Sequence, residues 1–370
     1  MNNNNNEGFD GSRRRLMLVG VGLGLQVLLA PTLASTTVAF ASAAMTGPLH
    51  QPATLTNRAA HATLTRVVVA GDRLVAVGER GLVVLSDDGG RHWRQASVPV
   101  SVTLTSASFA DARQGWIAGH SGVVLHTSDG GENWTVQMDG VALAKATLAQ
   151  ALGLPNTDAD RERRIQDAQR LVDDGADKPL LSICFADARH GMVVGAFGLA
   201  ATTDDGGKTW TPCRNRLPNP MSMHLYSVAH HDKTWVIAGE QGVLMRSQDN
   251  GESFEALASP SGRTLFTATA TRNGSFVLAG LLGAACRIDP GSTAVTPIEL
   301  SAPLTILSSV ELRDGQLMLL AQGGRLLSSR DGGTHFAEQQ LPRRDPLTSL
   351  VEAADGGLVA TSLGGVARLG

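Results

Sequence analysis

The sequence predicts an all-β protein, a seven-bladed β-propeller with four-stranded blades and a small helical insertion. Three observations lead to this prediction. An acidic turn recurs along the chain, a glycine-bounded turn recurs between its copies, and the segments that separate the turns are short and apolar. Repeats of one supersecondary unit at a period of about 40 residues are typical of propellers and related arrays.

The acidic turn has the form Ser/Thr-x-Asp-x-Gly-x-x-aromatic. Its hydroxyl and carboxylate are expected to accept backbone N–H groups, and its glycines permit positive φ angles. The aromatic residue then anchors the next strand in the core. A degenerate copy lies at 287–291. Five copies are complete, and their aspartate and aromatic residues are Asp88 and Trp93, Asp129 and Trp134, Asp205 and Trp210, Asp249 and Phe254, and Asp331 and Phe336.

The glycine-bounded turn, Gly-x-x-Gly or a close variant, is predicted to join the second and third strands of each unit. Its seven copies predict seven blades. They are 78–81, 119–122, 195–198, 239–242, 280–283, 321–324 and 361–364. The last unit stops after its third strand, at 366–369. We therefore expect residues 49–56 to supply the missing fourth strand, because a shared blade would close the ring and remove an exposed edge.

The propeller is predicted to span residues 44–370, behind a signal peptide at 1–43. Three arginines, 13–15, precede the apolar run 16–30, and the small residues 41–43 offer a cleavage site. The arginines fit an ordinary secretion signal as well as a twin-arginine signal. The chain is therefore expected to be exported to the periplasm or another part of the envelope.

One interval between repeats exceeds the others by roughly 35 residues, which places an insertion at 140–178 between two blades. Apolar spacing predicts one helix at 143–152, and a capping sequence followed by a second periodic stretch predicts another at 159–172. Two interpretations remain open for this segment. It is either a helical hairpin that packs on the propeller or an element that docks a partner.

The composition excludes several classes of function. The 370 residues carry a formal net charge of −3, which argues against general nucleic-acid binding. The three cysteines lack metal-binding spacing and the ten histidines are scattered. We therefore expect no metal site and no cofactor, with the cysteines as small buried residues, and we expect a monomer.

With these motifs, the chain resembles the BNR/Asp-box superfamily and, within it, the photosystem II stability/assembly factor family of seven-bladed propellers and its bacterial relatives. The resemblance covers about 66–370 and rests on the Asp boxes, on the strands that run from 116 to 122 and from 235 to 242, and on the Gly-Lys-Thr-Trp end at 207–210. It implies an exported, non-enzymatic protein that binds a membrane protein complex or its subunits during assembly.

The binding site is expected on the face that carries the Gly-x-x-Gly turns and the connections between blades, since the Asp boxes occupy the opposite face. Basic side chains there suit carboxylates or phosphates of a partner, and the interaction face of the family is also basic. The predicted partner-binding residues are Arg214, Arg216, Arg263, Arg343 and Arg344 in the connections, and Arg80, His120 and Glu240 in the turns.

Two alternatives share the Asp boxes. A sialidase-like glycoside hydrolase needs an arginine triad and a tyrosine nucleophile with a nearby glutamate. The single tyrosine is Tyr226, with Glu240 on the same blade and Glu79 on another. The Arg-Ile-Pro element of sialidases is absent, and their blades number six. A glycan-binding propeller needs exposed aromatic side chains, for which Phe197 is the clear candidate in the Gly-x-x-Gly turns.

Overall fold

The computed structural model describes residues 47–339 and 346–369, and it confirms the seven-bladed β-propeller. Seven antiparallel sheets follow one another along the chain, each with its strands in sequential order. Six sheets have four strands and the last has three. The predicted signal peptide at 1–43 lies outside the described residues. No helix in the described ranges is long and apolar enough to cross a membrane.

The strands are short and follow the turn spacing. Blades 1 and 2 contain β1 Leu64–Ala70, β2 Arg73–Gly78, β3 Val83–Ser86, β4 Arg94–Gln95, β5 Leu104–Phe109, β6 Gly115–Gly119, β7 Val124–Thr127 and β8 Thr135–Met138. Blades 3 and 4 contain β9 Leu180–Phe185, β10 Gly191–Gly195, β11 Ala200–Thr203, β12 Thr211–Pro212, β13 Leu225–His231, β14 Thr234–Gly239, β15 Leu244–Ser247 and β16 Glu255–Ala256. Blades 5 and 6 contain β17 Leu265–Ala270, β18 Phe276–Gly280, β19 Ala285–Ile288, β20 Val295–Pro297, β21 Ile306–Glu311, β22 Leu317–Ala321, β23 Arg325–Ser329 and β24 Ala337–Gln339. Blade 7 contains β25 Leu347–Glu352, β26 Leu358–Ser362 and β27 Gly365–Leu369.

The core lies between adjacent blades. The second strand of a blade is buried on both faces, as the strand β6, Gly-Trp-Ile-Ala-Gly, illustrates with every residue buried. Trp116 in this strand stacks on Phe185 of the next blade, with ring centroids 3.5 Å apart. Because each sheet packs against two neighbours, its central strands are apolar without the alternation of a half-exposed strand.

Hydroxyl groups of the innermost strands link most blades to the next one. Thr65 Oγ1 of blade 1 donates to the carbonyl oxygen of Leu104 in blade 2, at 2.7 Å. Thr348 Oγ1 of blade 7 donates in the same way to the carbonyl oxygen of Leu64 in blade 1, also at 2.7 Å. The junction between the last and first blades is therefore sealed by the same bond as an internal junction.

The prediction that residues 49–56 complete blade 7 is wrong. These residues form no strand and run beside blade 1, where the Ala53 amide donates to the Val98 carbonyl oxygen at 3.0 Å. The short helical turn Ala59–His61 abuts the start of β27, since a Cβ on Gly365 would lie 2.1 Å from the Ala60 carbonyl oxygen. This turn carries the preceding chain outward along blade 1. Among the described residues, the ring closes by packing between blades rather than by a shared sheet.

The helical insertion is present between β8 and β9 as α1, Gly140–Leu152, and α2, Arg161–Asp174. Asp139 caps α1, because its carboxylate accepts the Ala142 amide at 2.8 Å. Gln150 Nε2 donates to the Pro212 carbonyl oxygen at 2.9 Å, which fixes α1 to the outer strand of blade 3. The hairpin is thus attached to the propeller and does not extend from it as a separate unit.

The Asp boxes form the hydrogen bonds that their sequence predicts. Ser86 Oγ donates to Asp88 Oδ1 at 2.9 Å and accepts the Gly90 amide at 2.8 Å, while Asp88 Oδ1 also accepts the His92 amide at 2.9 Å. The complete boxes at 127–134, 203–210, 247–254 and 329–336 repeat this pattern. In the box at 203–210, the amide and hydroxyl of Thr209 lower the pKa of Asp205 to about 2.

Each complete box also receives a hydrogen bond from the preceding blade. A long side chain of that blade donates to a glycine carbonyl oxygen in the box. In the first four pairs named below, the donor and acceptor atoms are about 3 Å apart. These pairs are Arg73 with Gly130, Trp116 with Gly206, Arg216 with Gly251, Arg287 with Gly332, and Arg368 with Gly89. The Asp-box face is therefore held together around the ring by its own side chains.

Candidate functional site

The face opposite the Asp boxes, here called the loop face, carries the Gly-x-x-Gly turns and the connections from the fourth strand of one blade to the first of the next. In five consecutive turns, the third residue has a left-handed backbone although it is not glycine. These residues are Arg80, Ser121, Phe197, Gln241 and Leu282, with φ between 50° and 58°. Non-glycine residues are unfavourable in this region, and such strain clusters at binding sites.

Two of these strained residues display large apolar side chains. Phe197 and Leu282 are each 51% exposed, on blades 3 and 5. Glycine would relieve the backbone at both positions, so the structure retains the side chains at a conformational cost. Sequence reasoning identified Phe197 and missed Leu282, although a leucine inside a glycine-bounded turn was a visible signal.

Aromatic rings continue from Phe197 towards the axis of the propeller. The Phe197 and His224 ring centroids are 4.8 Å apart, and those of Tyr226 and Phe266 are 5.2 Å apart. His224 and Tyr226 connect these pairs with centroids 6.2 Å apart. Lys178 Nζ lies 5.7 Å from the centroid of the Phe197 ring. Blades 3, 4 and 5 therefore share an aromatic track, defined by Phe197, His224, Tyr226 and Phe266.

The same position on the other inner strands explains why the track covers only part of the ring. Tyr226 and Phe266 are the second residues of β13 and β17, where blades 7, 1 and 2 carry threonine. Those threonines, including Thr65 and Thr348, donate to the neighbouring blade and stay within the wall. Tyr226 and Phe266 have no threonine hydroxyl to donate to the neighbouring blade, so their aromatic side chains remain half-buried and accessible.

A cavity of about 260 Å³ lies beside the track, between the helical hairpin and the connection that follows blade 3. Its apolar lining comes from both helices and from the connection, including Ala151, Leu154 and Leu217. Arg163, Arg164, Arg214 and Asp167 also line it. The cavity therefore combines an apolar wall with three guanidinium groups against one carboxylate. We call this cavity, together with the aromatic track, the blade 3–5 site.

Arg214 is the central charge of this cavity. Its guanidinium donates to the Ser222 hydroxyl and has no ion-pair partner within 4 Å among the described residues. Burial lowers the pKa of Arg214 below its ordinary value, while Asp167 raises it and Arg163 lowers it. A half-buried guanidinium without a paired carboxylate favours binding of an anionic group.

Four other predicted residues lie on the loop face, but not all of them lie at the blade 3–5 site. Arg263 is exposed on the loop face and donates to the Leu282 carbonyl oxygen at 3.3 Å. Arg80 and His120 are exposed in their turns, on blades 1 and 2, away from the blade 3–5 site. Glu240 accepts the His224 amide at 3.1 Å and so supports the aromatic track.

The expectation for Arg216 needs correction. Its guanidinium donates to the Gly251 carbonyl oxygen in the Asp box of blade 4, so it serves the opposite face. The connection leaves blade 3 at the rim, where a long side chain extends to either end, and sequence position does not distinguish them. Arg343 and Arg344 lie outside the described residues, so their role remains a prediction.

The site shows no arrangement for metal or covalent chemistry within residues 47–339 and 346–369. No group of three or more His, Cys, Asp or Glu side chains that could hold a metal is present there. Cys213 and Cys286 are buried and Cys184 is half-buried, and none is in a disulfide. Burial raises the pKa of Cys213 to about 12, so this thiol is unsuited to nucleophilic chemistry.

A family model described as photosynthesis system II assembly factor YCF48 matches residues 67–157 and 163–262, which is slightly more than half of the chain. The curated protein named photosystem II assembly lipoprotein Ycf48, from Synechococcus sp. (strain CC9902), is 40% identical over 63 residues. That match spans 16% of this chain and 19% of the length of that protein.

Two solved structures are similar to this chain, and the first of them shows the same fold. YCF48 from Cyanidioschyzon merolae aligns with a TM-score of 0.58 and 16% identity, over 86% of this chain and 98% of that chain. A structure titled YCF48 bound to D1 peptide aligns with a TM-score of 0.49 and 19% identity, over 72% of this chain and 81% of that chain. At such identities, structural similarity shows the architecture and leaves the ligand to the site itself.

Proposed function

The chain belongs to the photosynthesis system II assembly factor YCF48 family, and on this premise we propose that it is a non-catalytic binding module that assists assembly or stabilisation of a membrane protein complex. The partner binds the loop face over blades 3, 4 and 5. The relative named photosystem II assembly lipoprotein supports this class of role.

The observation that supports this site most strongly is the group of unpaired arginines beside exposed apolar side chains. Arg214 and Arg263 have no ion-pair partner among the described residues, and Phe197 and Leu282 are each half-exposed nearby. Met221, in the connection that also carries Arg214, is 74% exposed. Arginine, aromatic and methionine side chains are the types enriched at protein interfaces.

This combination defines the chemistry of the partner. Guanidinium groups bind carboxylates in bidentate geometry, and the aromatic track and the cavity wall bury apolar side chains. We infer that the partner supplies an extramembrane segment of a membrane-protein subunit, in which carboxylates alternate with apolar residues. Electrostatic attraction would speed its association, and apolar contact would slow its release.

A sialidase-like hydrolytic function is opposed by the arrangement of the loop-face arginines. Arg214 is held by Ser222 and Arg263 is directed at the Leu282 carbonyl oxygen, so the two do not converge on one carboxylate. This arrangement supports a protein without sialidase-like activity.

The place of action follows from the same proposal. Residues 1–43 have the pattern of a signal peptide, and the curated relative carries the name of a lipoprotein. We propose that the protein acts as a monomer in the periplasm or at the envelope. Cell fractionation with light scattering on the purified protein tests the location and the oligomeric state together.

The decisive experiment is crosslinking in intact cells, followed by affinity purification of the tagged protein and mass spectrometry. The wild-type protein is expected to recover subunits of one membrane complex in near-stoichiometric amount. The double variant Arg214→Glu, Arg263→Glu reverses two loop-face charges, and we expect its recovery of that complex to fall at least about tenfold.

The matched control is Arg330→Glu on the Asp-box face. Arg330 is 75% exposed and lies 3.5 Å from Asp314, so its charge reversal changes the net charge without touching the loop face. It should recover the complex like the wild type. Recovery of the propeller alone would contradict the proposed function, whereas equal loss in both variants would place the site elsewhere.

A further inference from the structure

Arg66 is an exception in a repeated position of the propeller. In each inner strand, the register of pairing shifts between the first and the third residue. The third residue, which follows this shift, pairs with a residue of the second strand of the same blade. Blade 1 has Arg66 at this position. The other six blades have a small hydroxyl residue there, namely Ser106, Ser182, Ser227, Thr267, Ser308 and Ser349.

The hydroxyl residues at this position link neighbouring blades. Ser106 Oγ accepts the Ile183 amide of the next blade at 3.3 Å, and Ser227 Oγ accepts the Ala268 amide at 3.0 Å. Ser349 Oγ accepts the Val67 amide across the junction of blades 7 and 1. Arginine has no acceptor atom, so blade 1 cannot make this bond to blade 2.

Arg66 lies on the innermost strand of blade 1, beside the axial channel that the seven inner strands enclose. Its charge acts electrostatically on Cys184 of the inner strand of blade 3, although blade 2 separates the two along the wall. The Arg66 Nε is buried, while part of the residue remains accessible to solvent. A side chain in a narrow water-filled channel has this combination of properties.

The charge of Arg66 has no partner. Its Nε is buried without a hydrogen-bond acceptor, and no carboxylate within the described ranges forms an ion pair with it. Burial lowers the pKa of this guanidinium, but arginine remains protonated in proteins. A half-buried guanidinium without an acidic partner favours an anion beside it.

We propose that the axial channel binds one small anion at Arg66. The ligand class is a carboxylate or an inorganic oxyanion, since the guanidinium fork binds both in bidentate geometry. The anion neutralises the charge that would otherwise oppose closure of the ring between blades 1, 2 and 3. This anion site is separate from the blade 3–5 site, and its test does not depend on the identity of the partner.

The repeats themselves provide the test variant and its control. Arg66→Ser installs the residue that four of the other blades use to bond the next blade, so the folded ring is expected to accept it. Arg80→Ser removes an exposed arginine of the same blade and installs the residue of blade 2, where Ser121 has nearly the same φ, 58° against 54°. Both variants lose one positive charge, but only the first removes the channel cation.

Thermal unfolding of the full chain is measured with acetate, phosphate or chloride at constant ionic strength. Wild type and Arg80→Ser are expected to gain at least about 2 °C in Tm between zero and saturating acetate or phosphate. Arg66→Ser is expected to unfold at a higher temperature than wild type in chloride and to gain less in Tm than wild type and Arg80→Ser on addition of acetate or phosphate. Calorimetric titration should give one anion site fewer for Arg66→Ser than for wild type and Arg80→Ser.

The anions distinguish the possible ligands. A response to acetate alone indicates a carboxylate site, and a response to phosphate alone indicates an oxyanion site. The proposal is overturned by a wild-type Tm that is independent of all the anions, or by an equal response in Arg66→Ser. If Arg66→Ser fails to fold, Arg66→Lys replaces it. A lysine retains the charge but loses the bidentate fork, so its anion response should weaken without disappearing.

Discussion

The arginines on the two faces of the propeller differ in what they bind. On the Asp-box face, Arg246, Arg287 and Arg368 form ion pairs and also donate to backbone carbonyl oxygens of a neighbouring blade. On the loop face, Arg214 and Arg263 have no ion pair among the described residues. The same residue type therefore holds the ring together at one end and is left without an ion pair at the other.

The backbone follows the same division. At the Asp-box face, positive φ angles in the boxes fall mainly on glycines such as Gly89 and Gly90, which adopt them at little cost. At the loop face, five consecutive turns place a non-glycine residue in the left-handed region. The Asp-box face therefore uses glycine where the backbone is left-handed, whereas the loop face accepts strain at residues that carry side chains.

The largest expected difference concerns stability. Arg246 is only 2% exposed, pairs with Glu255 at 2.5 Å and donates to the Ser292 carbonyl oxygen of the next blade. Arg246→Met should lower the free energy of unfolding by about 2 kcal/mol, because it removes the hydrogen bonds that the buried guanidinium donates to Glu255 and to the Ser292 carbonyl oxygen. Arg263→Met should change it by less than about 0.5 kcal/mol. Urea denaturation of both variants measures this, and equal losses would remove the distinction between the faces.

A finer comparison uses two arginines in one connection. Arg216 donates to the Gly251 carbonyl oxygen of an Asp box at 3.1 Å, whereas Arg214 lines the cavity of the loop face. Arg216→Met should cost about 1 kcal/mol of stability and leave partner binding unchanged. Arg214→Met should weaken binding with little loss of stability. Urea denaturation measures the stability of the two variants, and binding titrations measure their affinity for the partner. If the Arg216 variant lost binding and the Arg214 variant lost stability, the roles given to the two arginines would be wrong.

The smallest expected effect is on the strained turns. Leu282 has φ of 50°, so Leu282→Gly should raise the free energy of unfolding by about 0.5 kcal/mol as strain is released. The same change removes an apolar contact and should weaken partner binding. Gly323 occupies the corresponding turn of blade 6 with φ of 76°, which shows that this position tolerates glycine. Loss of stability without loss of binding would mean that Leu282 has only a structural role.

The placement of several residues of the proposed site followed from the order of turns along the chain. In a sequential four-stranded blade, the second-to-third turns and the connections share one face, so Arg80, Arg214 and Arg263 were assigned together. Arg216 was misassigned because a long side chain at the rim extends to either face. The cavity was missed because it requires two helices and a connection to meet, and no local pattern encodes that meeting.

Repetition in the sequence by itself determined the architecture of this protein. Each Asp box and each Gly-x-x-Gly turn fixes its own local geometry. When seven copies of one unit close into a ring, every sheet is packed against two neighbours and is buried. Only the tertiary structure decided how the ring closes and which charges have partners. The segment 49–56 lies beside blade 1, and Arg66 on the inner strand of that blade has no ion-pair partner among the described residues. Both outcomes depend on contacts between residues far apart in sequence, where packing rather than local preference decides.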